Sequence, residues 1–353
     1  MLSRWRGWFW GLLGLLLLVS RLAHRGILWA DEDYHLAAGI QLLHGKLPYR
    51  DFWYDKPPLS ALLTLAFGAQ AGVPLRIAGT LLALCCCWLA YLLAKSLWDS
   101  LEGYAAAGLL AFFLIFYMPT GVIPLEPDTW MLAPHLAAVL FAVRKKPLLS
   151  GLFCGIASLI HIKGLAVLAV CFLISPSWIL LVGPVAAFAA MFSFPGYIDQ
   201  VWRWGIAYAA GSKSYLPIVR WLGFHAALAA GVVWYAWKER DKQARWISAR
   251  WMTAWIAISL ATLVVGGPIA PRYFQQLLPA LVIPAARGLR LKPVLLALLL
   301  IPLVRFGPRY FALNSDWADT AMDRESRQAA ALILPQPGDT LTIWGYRPNV
   351  DVY

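Results

Sequence analysis

The stretch Trp29-Ala30-Asp31-Glu32-Asp33-Tyr34-His35 sets three carboxylates side by side, shortly after the Leu-rich run Gly11–Val19. Acids that repel one another and lose water near a bilayer are rare unless they act on something. A second acidic pair, Glu126 and Asp128 in Ile-Pro-Leu-Glu-Pro-Asp-Thr-Trp, lies between apolar runs. Pro124 and Pro127 keep its backbone out of a continuous helix. A helix N-cap would account for Asp128, but it needs no Glu126. Convergent carboxylates suit a general base or a divalent cation such as Mg or Mn, for which Asp31, Glu126 and Asp128 are the candidate ligands.

Cations stand near the same motifs. Lys56 lies in Asp-Lys-Pro-Pro-Leu, Lys163 follows His161 in Leu-Ile-His-Ile-Lys-Gly, and Arg272 precedes Tyr273 in Pro-Arg-Tyr-Phe. A single interfacial lysine merely snorkels. Three cations beside Gly or Pro on the acid-bearing face point to an anion at the membrane surface, with a lipid phosphate the obvious candidate. His35 and His44 read as solvated surface that is also able to touch a sugar, and His135 and His225 as mid-span side chains satisfied by neighbouring helices. Trp53, Tyr54 and Trp130 adjoin the acidic motifs and suit stacking on a sugar face.

These residues need a membrane scaffold to bring them together. Of the 353 residues 61% are hydrophobic and 14% charged, too greasy for one soluble core. The expected fold is an all-α polytopic membrane protein, with spans near 8–22, 76–97, 104–118, 129–143, 147–162, 164–175, 178–195, 217–237, 248–266, 274–286 and 293–305. Several are shorter than the ~20 residues a perpendicular helix needs, so tilted or broken helices are expected. The net charge of +12 is spread over clusters at Arg144–Lys146, Lys238–Arg250 and Arg287–Lys292, as cytoplasmic loops require, which argues against a nucleic-acid partner. The five cysteines lie in apolar runs without metal-ligand spacing.

If 59–73 lies along the interface, both acidic loops share one side and the basic clusters the other. The N-terminus is then cytoplasmic and 23–75 forms one long outer loop. This is the expected topology of an integral protein of a bacterial cytoplasmic (inner) membrane with its site facing outside. Residues 1–305 form the transmembrane catalytic domain. Beyond them, 306–353 reads as the start of a small extracytoplasmic α/β domain, with a helix over Asp316–Leu334 and a strand over Thr340–Tyr346.

With these motifs in hand, the chain resembles the GT-C class of polytopic glycosyltransferases, in the branch of protein O-mannosyltransferases and the lipid A aminoarabinose transferase. The resemblance rests on the acid pair opening the first outer loop, Lys-Pro-Pro closing it at Lys56, the acidic Glu-Pro-Asp-Thr-Trp at 126–130, Lys-Gly at 163–164 and Arg-Tyr at 272–273. It implies transfer of a sugar from a polyprenyl-phosphate donor to a protein, lipid A or surface-glycan acceptor, with inversion. It also implies Asp31 as the base, Glu32 as its paired acid, and Asp128 or Glu126 as the second-loop carboxylate. Lys56, Lys163 and Arg272 would handle the donor phosphate, and Tyr34, His161 and Tyr273 would line the substrate site. The rival readings are a transporter or lipid flippase, or a relative that binds a polyprenyl lipid without turning it over.

Overall fold

The computed structural model describes residues 2–29, 31–210, 215–240, 246–265, 270–310 and 318–333. Among the described residues the chain is helical without strands, save for an isolated bridge between Pro48 and Phe52. The long apolar helix α1 (Leu2–Leu22) leads into α2 (Glu32–Leu43) and the short α3 (Leu59–Leu62), which a 3-10 turn continues to Phe67. Helix α4 (Val73–Leu97) follows, with Pro74 in its first turn, where a missing N–H costs nothing. The Asp99 carboxylate caps α5 (Ser100–Ile115) by accepting from the Leu101 N–H.

Single turns α6 (Pro119–Val122) and α7 (Pro127–Trp130) precede α8 (Leu132–Val143). The chain then runs through α9 (Pro147–Ile160), α10 (Gly164–Ile174) and α11 (Val182–Phe192). Next come α12 (Trp204–Ala209), α13 (Leu216–Gly223), α14 (Ala226–Glu239) and α15 (Trp246–Val265). The last elements are α16 (Leu277–Leu291), α17 (Leu300–Phe306) and α18 (Ala318–Leu332).

Several expected spans are broken rather than continuous. The 129–143 span bends between α7 and α8, and 217–237 divides between α13 and α14 at Phe224–His225. The 178–195, 274–286 and 293–305 spans each begin as 3-10 turns. Proline opens many of these pieces, and its missing N–H and fixed φ favour a new start over a long helix. By length and composition, two described helical segments suffice to cross a bilayer, Val73–Leu97 and Pro293–Tyr310; shorter apolar helices accompany them. The 59–73 stretch holds only a four-residue helix and a five-residue turn, far short of a crossing, and α3 packs on α2 and α9. The expected C-terminal helix is α18, whereas the strand expected over Thr340–Tyr346 lies outside the described residues.

The core lies where α4, α5, α8 and α16 meet, around Phe113, Leu136, Val139 and Ile283. Close helix approach rests on glycine. A Cβ on Gly155 would stand 2.5 Å from the Gly183 carbonyl oxygen, and Gly288 on α16 presses against Gly231 on α14. The outer faces are apolar, with Leu12, Leu15 and Leu16 on α1, Leu81 on α4 and Val304 on α17 all exposed, as lipid contact requires.

Segments from distant parts of the sequence gather at one end of the bundle: 23–29, 31–72, 116–131, 161–163, 193–203 and 270–276. The basic residues Arg144, Lys145, Arg287, Arg290 and Lys292 lie among other partners. Arg144 donates to Ser96, Lys145 to the Ile174 carbonyl, and Arg287 and Arg290 pair with Glu102.

Candidate active site

Asp31 stands just before α2 with φ 68°, a left-handed backbone that Asp and Asn adopt more readily than other non-glycine residues. Its carboxylate meets the Arg272 guanidinium at 2.5 Å, and its side chain keeps 34% exposure. The adjacent Glu32 is fully buried and saturated. Arg76 of α4 donates to both its oxygens at 2.8 Å, and the Leu125 and Trp29 N–H groups donate at 2.9 and 3.3 Å. Arg76 also donates to the His24 and Ile27 carbonyls. This clamp ties the loop before α2, the top of α4 and the segment leading to Glu126 into one rigid corner. It supports the left-handed backbone at Asp31.

Arg272 reaches a second acid on its other edge, Glu126, at 3.3 Å from Nε to Oε2. Glu126 is buried and its Oε1 has no hydrogen-bond partner. Burial drives its pKa well above the ordinary carboxylate value; the nearby Asp128 and Asp31 charges add to this and Arg272 opposes it. Asp128, two residues on, sits in the first turn of α7. Its Oδ1 accepts from Lys163 Nζ at 3.1 Å and from the Gln276 amide. Burial alone would raise the Asp128 pKa, but Lys163, His161 and Arg272 outweigh it and hold the carboxyl low. The Lys163 ammonium lies 3.5 Å from the centre of the Tyr273 ring, a cation–π contact. Burial lowers its pKa despite Asp128.

A second cluster adjoins the first. Lys56 Nζ pairs with Asp55 at 2.5 Å, and the Tyr49 hydroxyl donates to the Lys56 carbonyl, fixing the chain before Pro57-Pro58. The Tyr34 hydroxyl accepts from the Asp55 N–H, and its ring stacks on Tyr54 at 5.3 Å. Burial would raise the Asp55 pKa, but Lys56 holds it below the usual range. The His35 ring joins the Tyr54 hydroxyl at 2.8 Å, which in turn meets Ser60. Both His35 and His161 are driven by burial to pKa values of about 3. His161 also feels Asp128 and Lys163 from one cluster and Lys56 and Asp55 from the other. The two clusters therefore share one electrostatic environment.

The structure thus brings Asp31, Glu126, Asp128, Lys163, His161, Arg272 and Tyr273 together, with Lys56 and Tyr34 alongside. Glu32 belongs to the clamp with Arg76. His35 is buried rather than solvated, and Trp53 is half exposed against Trp204. Sequence reasoning passed over Arg76 and Gln276. A charge inside an apolar helix was signal enough for Arg76; Gln276 carried none. Among the described residues no three acids, histidines or cysteines converge as metal ligands. The side chains present do not fit a divalent cation, because Arg272 occupies the space between Asp31 and Glu126 and Lys163 occupies Asp128.

No family model and no curated protein sequence matches the chain. Solved structures do. ArnT from Cupriavidus metallidurans in the apo state superposes with TM-score 0.57 at 17% identity, covering 93% of this chain and 63% of that one. The same protein bound to undecaprenyl phosphate gives 0.55 at 16%, covering 94% and 65%. The Archaeoglobus fulgidus oligosaccharyltransferase AglB, in complex with an inhibitory peptide and a dolichol-phosphate, gives 0.55 at 11%, covering 86% and 55%. The chain thus spans a little over half to about two thirds of the length of these structures. Its transmembrane architecture is the GT-C fold shared by ArnT and AglB.

Proposed function

We propose that the chain is a membrane glycosyltransferase that moves a sugar from a polyprenyl-phosphate donor to an acceptor on the outer face of the membrane. The structural neighbours support the lipid-phosphate donor, since one is bound to undecaprenyl phosphate and another to a dolichol-phosphate. Orientation follows from the basic loops at the opposite end of the bundle, which the positive-inside rule assigns to the cytoplasm. The acceptor class stays as broad as a protein, lipid A or a surface glycan.

The observation that carries the assignment of roles is exposure. The Asp31 side chain is 34% exposed, whereas those of Glu126 and Asp128 are 2% and 4% exposed. Only Asp31 of these three is open to an incoming hydroxyl or amine, so Asp31 is the general base. Arg272, already touching Asp31, orients that carboxylate and faces the donor phosphate together with Lys163 and Lys56. The acceptor lone pair attacks the anomeric carbon from the side opposite the phosphate, and Asp31 takes the acceptor proton. The sugar–oxygen bond breaks, its electron pair stays on the phosphate oxygen, and configuration inverts. The developing lipid-phosphate dianion is stabilised by the three cations, whose preorganisation costs nothing at the moment of reaction. No step requires a metal.

The test is turnover of polyprenyl-phosphate-linked sugars by purified protein in lipid nanodiscs. Release of free polyprenyl phosphate, slowed by roughly 10²–10⁴-fold in Asp31→Asn, is expected. A donor bound but never consumed by the wild-type chain would overturn the enzymatic reading in favour of a lipid-binding relative.

A further inference from the structure

The helix α18 reaches back to the segment that leads into Asp31. Most of α18 is exposed, yet its Asp323 is buried. A carboxylate is buried this far only where hydrogen bonds offset its lost water. Its Oδ1 accepts from the Leu28 N–H at 3.2 Å, a contact between residues 295 positions apart in the chain. Its Oδ2 accepts from Arg327 Nε at 3.2 Å, one helical turn on. Arg327 then donates from Nη2 to the Gly26 carbonyl at 2.9 Å. One ion pair on α18 thus grips an N–H and a carbonyl two residues apart.

Other backbone groups of the same segment belong to Arg76 of α4, which takes the His24 and Ile27 carbonyls and holds Glu32. The Leu28 side chain is buried with Leu36, Leu75 and Leu125. Asp31 follows three residues after Leu28, with its left-handed backbone and its carboxylate on Arg272. A general base has to be held within about 0.5 Å of its working position, and a misplacement of about 1 Å can cost roughly 10²-fold in rate. Removing the α18 pair releases two of the bonds that fix the run into Asp31. The donor-facing cations Lys56 and Lys163 take their partners elsewhere, from Asp55 and Asp128.

We propose that Asp323 and Arg327 are positioning residues for the base. By gripping 26–28, α18 holds Asp31 where it meets Arg272 and the incoming acceptor. Neither side chain acts on substrate itself. The role rests on the sugar transfer proposed above, and it ties the C-terminal segment to the chemistry.

Turnover of polyprenyl-phosphate-linked sugars by the full chain in nanodiscs, with kcat and the donor KM measured separately, tests it. Asp323→Ala and Arg327→Ala should each lower kcat by about tenfold or more and leave the donor KM within about twofold. Asp323→Asn keeps an oxygen for the Leu28 N–H, so its kcat should stay within about threefold of the wild type. Hydrogen–deuterium exchange over 26–28 should quicken by about tenfold or more in both alanine variants. The Arg327 side chain is 47% exposed, so Arg327→Ala carries the test if Asp323→Ala fails to fold. Unchanged kcat in Arg327→Ala, a loss confined to KM, or an Asp323→Asn as slow as Asp323→Ala overturns the proposal. Absence of turnover in the wild type would sink the transfer reading instead, and exchange over 26–28 would still decide whether α18 grips the segment.

Discussion

Asp31 and Glu32 are neighbours in the chain and opposites in the structure. Glu32 is fully buried and receives four hydrogen bonds, two of them from a single arginine. Asp31 is partly exposed, left-handed at its backbone and held by Arg272, which it shares with a second acid. A buried ion pair with every lone pair satisfied stabilises only against its own disruption, and it specifies geometry. An open pair whose cation serves two carboxylates is poised for exchange with a ligand. The contrast separates the residue that builds the corner from the residue that acts there.

The largest effect should come from breaking the clamp. Glu32→Gln leaves Arg76 buried without a counter-charge and should cost about 3–5 kcal/mol, seen as a fall in the detergent melting temperature. An unchanged melting temperature would erase the contrast with Asp31. Asp31→Asn should do the reverse. Asparagine tolerates the left-handed backbone, so melting should hold while donor turnover falls by roughly 10²–10⁴-fold, the usual contribution of a general base.

These roles were only partly readable from the residues in order. That Asp31, Glu126, Asp128, Lys56, Lys163 and Arg272 belong on one face followed from charge and topology. Which acid meets which cation did not, because a pairing such as Asp31 with Arg272 depends on helix packing rather than local pattern. Glu32 read as half of a catalytic pair because its partner, Arg76, looked like the polar start of a long apolar span. The helix breaks at Met131 and Phe224–His225 were equally hidden, since composition reports hydrophobic length and not where a helix is interrupted within it.

A smaller effect separates the two regions by pH. His35 and His161 have folded pKa values near 3, against an ordinary value of 6.5. The unfolded chain therefore takes protons that the folded site refuses. The stability this gives is present above pH about 6.5 and is lost as pH falls toward 3, at up to ~1.4 kcal/mol per pH unit for each ring. The double variant His35→Gln/His161→Gln should flatten melting temperature against pH between 6.5 and 5, whereas Glu32→Gln should leave that slope alone. The smallest effect is expected at Glu126. Its side chain is only 2% exposed and closed to an acceptor, so Glu126→Gln should change turnover by less than about tenfold, well below the loss predicted for a base. A loss equal to that of Asp31→Asn would make Glu126 an equal partner in the chemistry.

The spacing of the partners also sets an order of assembly. Arg76 follows Glu32 by 44 residues, so the clamp can close while the second long helix is still being made. Arg272 emerges far later: at ~5–20 residues per second of synthesis, the wait after Asp31 is roughly 10–50 s. Asp31 waits through all of that interval, and Glu126 through its later part, without the cation that will join them. The nascent chain thus carries a finished corner and an unfinished site, and the last helices to insert bring the reactive geometry into being.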